Sequence, residues 1–369
     1  MLNAQILHSK YGQSVWLDFI DRNLVERGGL KILVDEGVRG VTSNPTIFHK
    51  AITGSTDYDE DILDLAEAGE GLDEETLFQW LAIKDVQAAA DILKAVYISS
   101  EQRDGFVSLE VSPHLAYDTE GTIEAARHLW KIVGRPNLLI KVPGTKAGLP
   151  AIEQLTAEGI NVNVTLLFSV DRYKDVIEAH RRGVSKNANP GKIASVASFF
   201  LSRIDTKVDD ALDKLGTPEA RQLKGRIAIA SARMAYKYFK AFVNYPAFRA
   251  ECKRGAHAQR PLWASTSTKN PAYSDLMYVE SLIGADTINT MPPKTLDAMQ
   301  AHAELYATLE TGMDEARENL EALAGLGIDL DQITQELEEE GVKKFADSYD
   351  QLIEGLKQKR FELTKRYAG

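Results

Sequence analysis

Thiol is nearly absent from this chain: among 369 residues there is one cysteine, Cys252. No disulfide can form within the chain and no cysteine-rich metal site can be built, so a reducing, cytoplasmic setting is expected. Basic charge is also scarce, 43 Lys and Arg against 54 Asp and Glu, for a formal net charge of −11. That balance argues against nucleic acid or an anionic membrane surface as the main partner. A local cluster of Arg and Lys could still hold a small anionic substrate. Uncharged apolar runs are short, none approaching the roughly 20 residues of a membrane-spanning helix. The opening MLNAQILHSKYGQS has no basic segment followed by an apolar one, so no secretory signal is expected.

Several chemical signatures are missing as well. No G-x-S-x-G elbow occurs, and no G-x-G-x-x-G follows a strand-like run, which argues against a dinucleotide. NPGKIA (189–194) resembles a phosphate-binding loop only superficially. Of seven histidines only His114 falls near a predicted strand end. A histidine-based metal site or a histidine-activated nucleophile therefore lacks parts, and neither metal nor cofactor is expected. His114 and Lys146 each follow a strand by a few residues and read as exposed rim positions.

What remains is ordinary globular material, 44% hydrophobic and 26% charged. Short β-rich runs recur at SVWLDFI (14–20), GVTSN (40–44), FVSLEVS (106–112) and LLIKVP (138–143). Four more follow, VNVTLLF (162–168), ASVASFF (194–200), PLWAST (261–266) and DTINT (286–290). Between them lie stretches with apolar residues three and four apart, among them RNLVERGGLKILVDE, TIEAARHLWKIV and AIEQLTAEG. Strands alternating with helices imply βαβ units, and eight of them imply a closed TIM (β/α)8 barrel rather than an open sheet.

Segments 51–105 and 206–258 exceed what one crossover needs and predict additional helices. Residues 301–369 predict a helical C-terminal extension, with Phe345, Tyr349, Leu352, Ile353 and Leu356 as an apolar face packed on the barrel; a dimer contact or a lid is the lesser alternative. The ELEEE run (336–340) reads as a solvated face. With no repeat and no linker, 1–369 reads as a single domain, monomeric or homodimeric.

Near the C-terminal end of successive strands stands a polar residue: Asp18, Asn44, Glu110, Lys141, Thr165, Ser198 and Ser265. Barrel active sites sit at that end. One buried polar side chain has an ordinary hydrogen-bonding explanation; seven on successive strands point to a site. Lys141 is the anomaly among them, because ammonium groups are seldom buried. Desolvation favours the neutral amine of a buried lysine, and such an amine can attack a ketone to form a Schiff base. The protonated imine is an electron sink that allows the adjacent C–C bond to break. That chemistry needs a carboxylate to move a hydroxyl proton and a relay for the water lost. Asp18 and Glu110 supply two carboxylates in different surroundings, and Thr165 could hold the water.

The motifs GVTSNPTIF (40–48), SLEVSPHLAYD (108–118), LLIKVPGTKAGLPAIEQL (138–155), INVNVTLLFS (160–169), SVASFFLSRID (195–205) and WASTSTKNP (263–271) together resemble the transaldolase family. Their order spans nearly the whole predicted barrel, and the C-terminal extension is similar to that of the longer bacterial type. The resemblance implies a Schiff-base enzyme of the non-oxidative pentose phosphate pathway. It would move dihydroxyacetone from sedoheptulose 7-phosphate to glyceraldehyde 3-phosphate. By motif position it implies that Lys141 forms the imine and Asp18 is the acid/base at the cleaved bond. Glu110 and Thr165 would hold the catalytic water, with Asn44 and Ser198 orienting substrate and Arg203 binding phosphate. A second family arginine, expected after the seventh strand, is replaced here by Ser265, Ser267 and Lys269, which leaves Lys269 as a point charge and Ser265 as a hydrogen-bond donor. Two alternatives stay open: an aldolase releasing free dihydroxyacetone, and a non-catalytic sugar-phosphate binding barrel.

Overall fold

A strand buried on both faces is expected to be largely apolar, and the central runs Leu138–Pro143, Val162–Leu167 and Ser195–Phe200 are buried at every position, with Lys141, Asn163, Thr165, Ser195 and Ser198 as their polar members. In the computed structural model, which describes residues 1–68 and 72–367, these are three strands of a closed barrel. The eight strands are β1 (Gln13–Asp18), β2 (Val38–Thr42), β3 (Phe106–Glu110), β4 (Leu138–Pro143), β5 (Val162–Leu167), β6 (Ser195–Phe200), β7 (Arg260–Ala264) and β8 (Thr287–Met291). Every neighbouring pair is parallel, and β1 pairs with β8, from Gln13↔Thr287 to Leu17↔Met291, to close the ring. All eight predicted strands are present, with no end moved by more than two residues and β4 where the sequence places it.

Helices cover the barrel where the pattern changes from period two to three and four. Thr119–Val133 starts on Asp118, whose carboxylate accepts the Gly121 amide; Val170–Lys186 starts on Ser169, whose hydroxyl accepts the Arg172 amide. The stretch read as one helix from Arg22 is two, Arg22–Glu26 and Gly29–Asp35. Gly28 at φ 80° breaks it, a left-handed conformation that residues with a Cβ adopt at a cost.

The two ends of the barrel differ. At the N-terminal end a buried ion network fills the interior. The Asp104 carboxylate accepts from Trp16 Nε1 and Arg39 Nε, both at 2.9 Å, and from the Ser14 hydroxyl. Arg260 Nη2 donates to Ser14 Oγ at 2.8 Å and to the Thr287 carbonyl at 2.9 Å. Burial pushes the Asp104 carboxyl up, but Arg260 and Arg39 more than reverse this and hold it below the ordinary carboxylate range. The C-terminal end is where the strands open onto a cavity.

The C-terminal extension is dominated by one long helix, Leu330–Tyr367, which lies across that end. Phe345, Tyr349, Leu352 and Leu356 are buried along it, as the apolar spacing predicts. Thr46 Oγ1 donates to Ser348 Oγ at 2.9 Å and Lys359 Nζ to the Ile52 carbonyl at 2.8 Å, tying the helix to Pro45–Gly54. The acidic run 336–340 is not uniformly solvated. Leu337 and Glu338 are buried, Glu338 with its carboxylate 3.6 Å from Arg172 Nε, because that turn of the helix faces the barrel wall.

Candidate active site

A cavity of about 150 Å³ at the C-terminal mouth is lined by Asp18, Asn44, Lys141, Thr165, Ser198, Arg203, Ser265 and Lys269, eight of the nine residues singled out from the sequence. The ninth, Glu110, stands behind Lys141: β3 and β4 pair Glu110 with Lys141 in register, and Glu110 Oε2 lies 3.6 Å from Lys141 Nζ. Size alone would not choose this place. Wider clefts, of about 1050 Å³ beside His49 and Gln358 and about 540 Å³ beside Lys174 and Tyr238, open on the outer surface. The buried chemistry is at the mouth.

Lys141 Nζ donates to the Ser43 carbonyl at 2.9 Å, which fixes the amine pointing into the barrel. Its side chain is 6% exposed and that of Glu110 is 5% exposed. Among the described residues neither Glu110 oxygen has a hydrogen-bond partner, and neither does the buried Thr165 hydroxyl. Acceptors and donors left open in a dry interior are costly unless something polar is shared between them. Burial pushes the Glu110 carboxyl above its ordinary range, with Lys141 pulling the other way.

Asp18 ends β1 opposite Thr42. The Thr42 hydroxyl donates to Asp18 Oδ1 at 2.7 Å and lies 2.7 Å from Thr290 Oγ1. A hydroxyl carries one proton, so Thr290 donates in turn to Thr42, and a two-hydroxyl chain orients the carboxylate. Removal from water raises the Asp18 carboxyl, more than Lys141 and the Thr42 hydrogen bond lower it. Both carboxyls thus move toward neutral pH.

Below the amine a polar layer crosses the barrel. Ser198 Oγ donates to Asn163 Oδ1 at 2.7 Å, and Asn163 Nδ2 donates to Ser108 Oγ at 2.9 Å. Ser198 is thereby held with its remaining lone pairs facing the cavity. Asn44 caps the helix Pro45–Gly54 through its Oδ1, which accepts the Ile47 amide at 3.0 Å; its Nδ2 is left for the cavity it lines. β5 is irregular between Val164 and Leu167, and Leu166 sits at φ 60°. Such a bulge beside the site re-aims Thr165 relative to a regular strand.

Positive charge gathers at the opposite wall. Arg203 follows β6, its Cζ 5.5 Å from the Phe200 ring centre and 5.9 Å from that of Phe345; burial lowers its affinity for a proton, with only Glu340 opposing. In the loop after β7, Lys269 Nζ donates to Ser267 Oγ at 2.7 Å, and Ser265, at φ 56°, shares a 2.8 Å hydrogen bond with Ser202. Partial burial, then the charges of Lys344 and Arg203, pull the Lys269 ammonium below its ordinary range. Like charges drawn together around a cavity are suited to an anion.

The sequence reading did not assign Phe345 or Lys344 to the site. Phe345 was legible only as part of an apolar helix face, yet it lines the cavity. Gly341, one turn earlier in an otherwise unbroken helix, was the available signal. A Cβ there would lie 2.9 Å from Leu166 Cδ2, so glycine lets the helix approach the mouth closely. His114 and Lys146 are exposed, as expected, His114 paired to Asp350 at 2.7 Å.

The fold and the site together define a (β/α)8 barrel with a buried lysine flanked by buried carboxylates at its catalytic mouth. A family model described as transaldolase/fructose-6-phosphate aldolase matches residues 15–356. A transaldolase of Thiobacillus denitrificans is 48% identical over 350 residues, covering 94% of this chain and 97% of that one. Transaldolase 2 of a Nostoc species is 46% identical over 376 residues, covering 97% and 98%. A transaldolase of Frankia alni is 48% identical over 352 residues, covering 94% of each. The chain belongs to the transaldolase/fructose-6-phosphate aldolase family. The resemblance read in the sequence motifs is borne out, as is the barrel. No helix among the described residues is long and apolar enough to cross a membrane.

Proposed function

We propose that this protein is a Schiff-base transaldolase that moves dihydroxyacetone from sedoheptulose 7-phosphate to glyceraldehyde 3-phosphate, giving erythrose 4-phosphate and fructose 6-phosphate. The observation that carries this reading is the placement of the Lys141 amine, buried, aimed into the cavity by the Ser43 carbonyl, with Glu110 behind it and Asp18 among the cavity-lining groups.

In this mechanism the Lys141 amine, once it has given up a proton, attacks the ketose carbonyl carbon. Glu110 and Thr165, whose polar atoms are open, hold the water that the carbinolamine releases and protonate the departing oxygen. The resulting iminium withdraws electrons from the neighbouring C–C bond. Asp18 takes the proton of the hydroxyl across that bond, the bond breaks, and an aldose phosphate leaves. The three-carbon fragment stays on Lys141 as an enamine. When the acceptor aldehyde enters, the enamine carbon adds to its carbonyl carbon and Asp18 returns the proton to the new hydroxyl. Water held by Glu110 and Thr165 then hydrolyses the imine. Arg203 and Lys269 bind the phosphate of each sugar, and Asn44 and Ser198 hold its hydroxyls.

Borohydride reduction in the presence of fructose 6-phosphate, followed by mass mapping, tests the reading. The expected result is a reduced three-carbon or six-carbon adduct on Lys141, lost in Lys141→Met together with turnover, while the melting temperature stays within a few degrees. An adduct on a different side chain, or undiminished turnover in Lys141→Met, overturns it.

A further inference from the structure

The lysine-bound enamine has two fates. Its nucleophilic carbon can add to an acceptor aldehyde, whose oxygen takes a proton from Asp18. Alternatively, the same carbon takes a proton, water adds to the imine carbon, and the amine departs, releasing free dihydroxyacetone. A transferase must favour the first, and in the barrel as so far described nothing decides between them. The C-terminal helix supplies the missing element. Phe345 is 5% exposed and lines the cavity, with its ring centre 5.8 Å from Lys141 Nζ and 5.9 Å from Arg203 Cζ. No other aromatic ring is within cation–π reach of Lys141 among the described residues.

The ring is held there from both sides. One turn before it, Gly341 lets the helix backbone settle against Leu166, Phe168 and Arg203. One turn after it, Tyr349 packs edge-on against Phe78 and His114, at 5.8 and 5.9 Å between ring centres. Ser348 is bonded to Thr46, and Asp350 to His114. These contacts tie the helix to neighbouring elements on both sides of Phe345. An aromatic face over a desolvated cation attracts it, and a protonated imine is such a cation. The same ring forms the wall of the cavity that the C-terminal helix supplies beside the amine.

We propose that Phe345 is a positioning and shielding residue of the active site, one that keeps the lysine-bound three-carbon unit for the acceptor aldehyde and away from bulk water. This inference rests on the Schiff-base transfer reading above. It assigns to the C-terminal helix a share in reaction specificity, in addition to its packing role.

The test is a partition measurement with full-length protein: free dihydroxyacetone released per acceptor converted, with fructose 6-phosphate as donor and erythrose 4-phosphate as acceptor. Phe345→Ala should raise that ratio about tenfold, within the range a desolvated cation–π contact provides. Phe345→Leu keeps the apolar cover without the π face, and should raise it less. Borohydride trapping on Lys141 is run in parallel on every variant. If the wild type forms no adduct, the underlying transfer mechanism fails. If adducts form normally and Phe345→Ala leaves the ratio unchanged, or lowers transfer with no added release, the shielding role alone fails. Should the alanine variant not fold, Phe345→Leu and Phe345→Ile carry the same comparison, and an unchanged ratio in both overturns the proposal.

Discussion

Arg203 offers a perturbation whose effects on binding and on stability have different signs. Its guanidinium is wedged between the rings of Phe200 and Phe345, and the carboxylate acting on it, Glu340, is itself bonded to Lys207. Replacing it by methionine keeps most of the apolar stem between the two rings and removes the charge. A guanidinium about 4 Å from one phosphate charge gains about 4 kcal/mol at the effective dielectric of a protein surface. Water and Lys269 share that work, so the net value of a charge-assisted hydrogen bond, about 1.5–3 kcal/mol, is the better guide. Arg203→Met should therefore lower kcat/KM for sedoheptulose 7-phosphate by about 10- to 150-fold, seen mostly in KM. With an unphosphorylated ketose donor the same variant should stay within about twofold of wild type, since no anion is there to be held. Burial already weakens the hold of Arg203 on its proton, so loss of the charge relieves a desolvation cost. The melting temperature should accordingly be no lower than that of wild type. Steady-state kinetics on both donors and a thermal melt decide it. Equal losses for phosphorylated and unphosphorylated donors, or a drop of several degrees in melting temperature, would refute the assignment of Arg203 to phosphate.

Two further outcomes follow from the buried carboxyls. Burial raises the Glu110 carboxyl despite Lys141, so its contribution to stability is present at low pH and lost as pH rises from the unfolded-state carboxylate value through the folded one. Glu110→Gln should thus melt higher than wild type at pH 7 and equal to it near pH 4, while turnover falls about 10²- to 10⁴-fold; a lower melting point at pH 7 would contradict this. Asp104 has the reverse sign: Arg260 and Arg39 outweigh burial and hold it low, so its stabilisation is present above the ordinary carboxylate range and lost as pH falls through the depressed value. Asp104→Asn, at the end of the barrel away from Lys141, should cost about 3–5 kcal/mol of stability and flatten the acid limb of the melting profile, with kcat unchanged at temperatures where the variant is folded. Chemical denaturation at pH 7 and pH 4 checks both.

How much of this was written in the chain depends on which physical signal each part leaves. The strands were legible because burial on both faces demands largely apolar, β-branched runs such as 138–143 and 162–167, and the helices because their period differs. Asp18, Glu110, Lys141, Thr165 and Ser198 were legible for a related reason. In a parallel barrel all strand ends of one sense meet at one mouth, so a polar residue near the end of each run is placed by topology alone. The break at Gly28 was marked by the paired glycines 28 and 29, but periodicity carries across such a pair and hides it. The Leu166 bulge left no signal, since leucine resists a positive φ and tertiary packing overrides that preference.

Phe345 and Glu338 failed to declare themselves for a shared reason. Periodicity tells which face of a helix is apolar and says nothing of what that face covers. What it covers is set by the tilt of Leu330–Tyr367, fixed by contacts such as Thr46 with Ser348 and Ile52 with Lys359, some three hundred positions apart. A charge run likewise conceals a member whose partner, here Arg172 for Glu338, lies on a distant helix. Strand-borne chemistry in a barrel is therefore readable from one chain, whereas the parts of the site delivered by an overlying helix are not. Phe345 is the member of that helix set beside the lysine, and on the proposed mechanism it acts where hydrolysis of a covalent intermediate competes with its transfer.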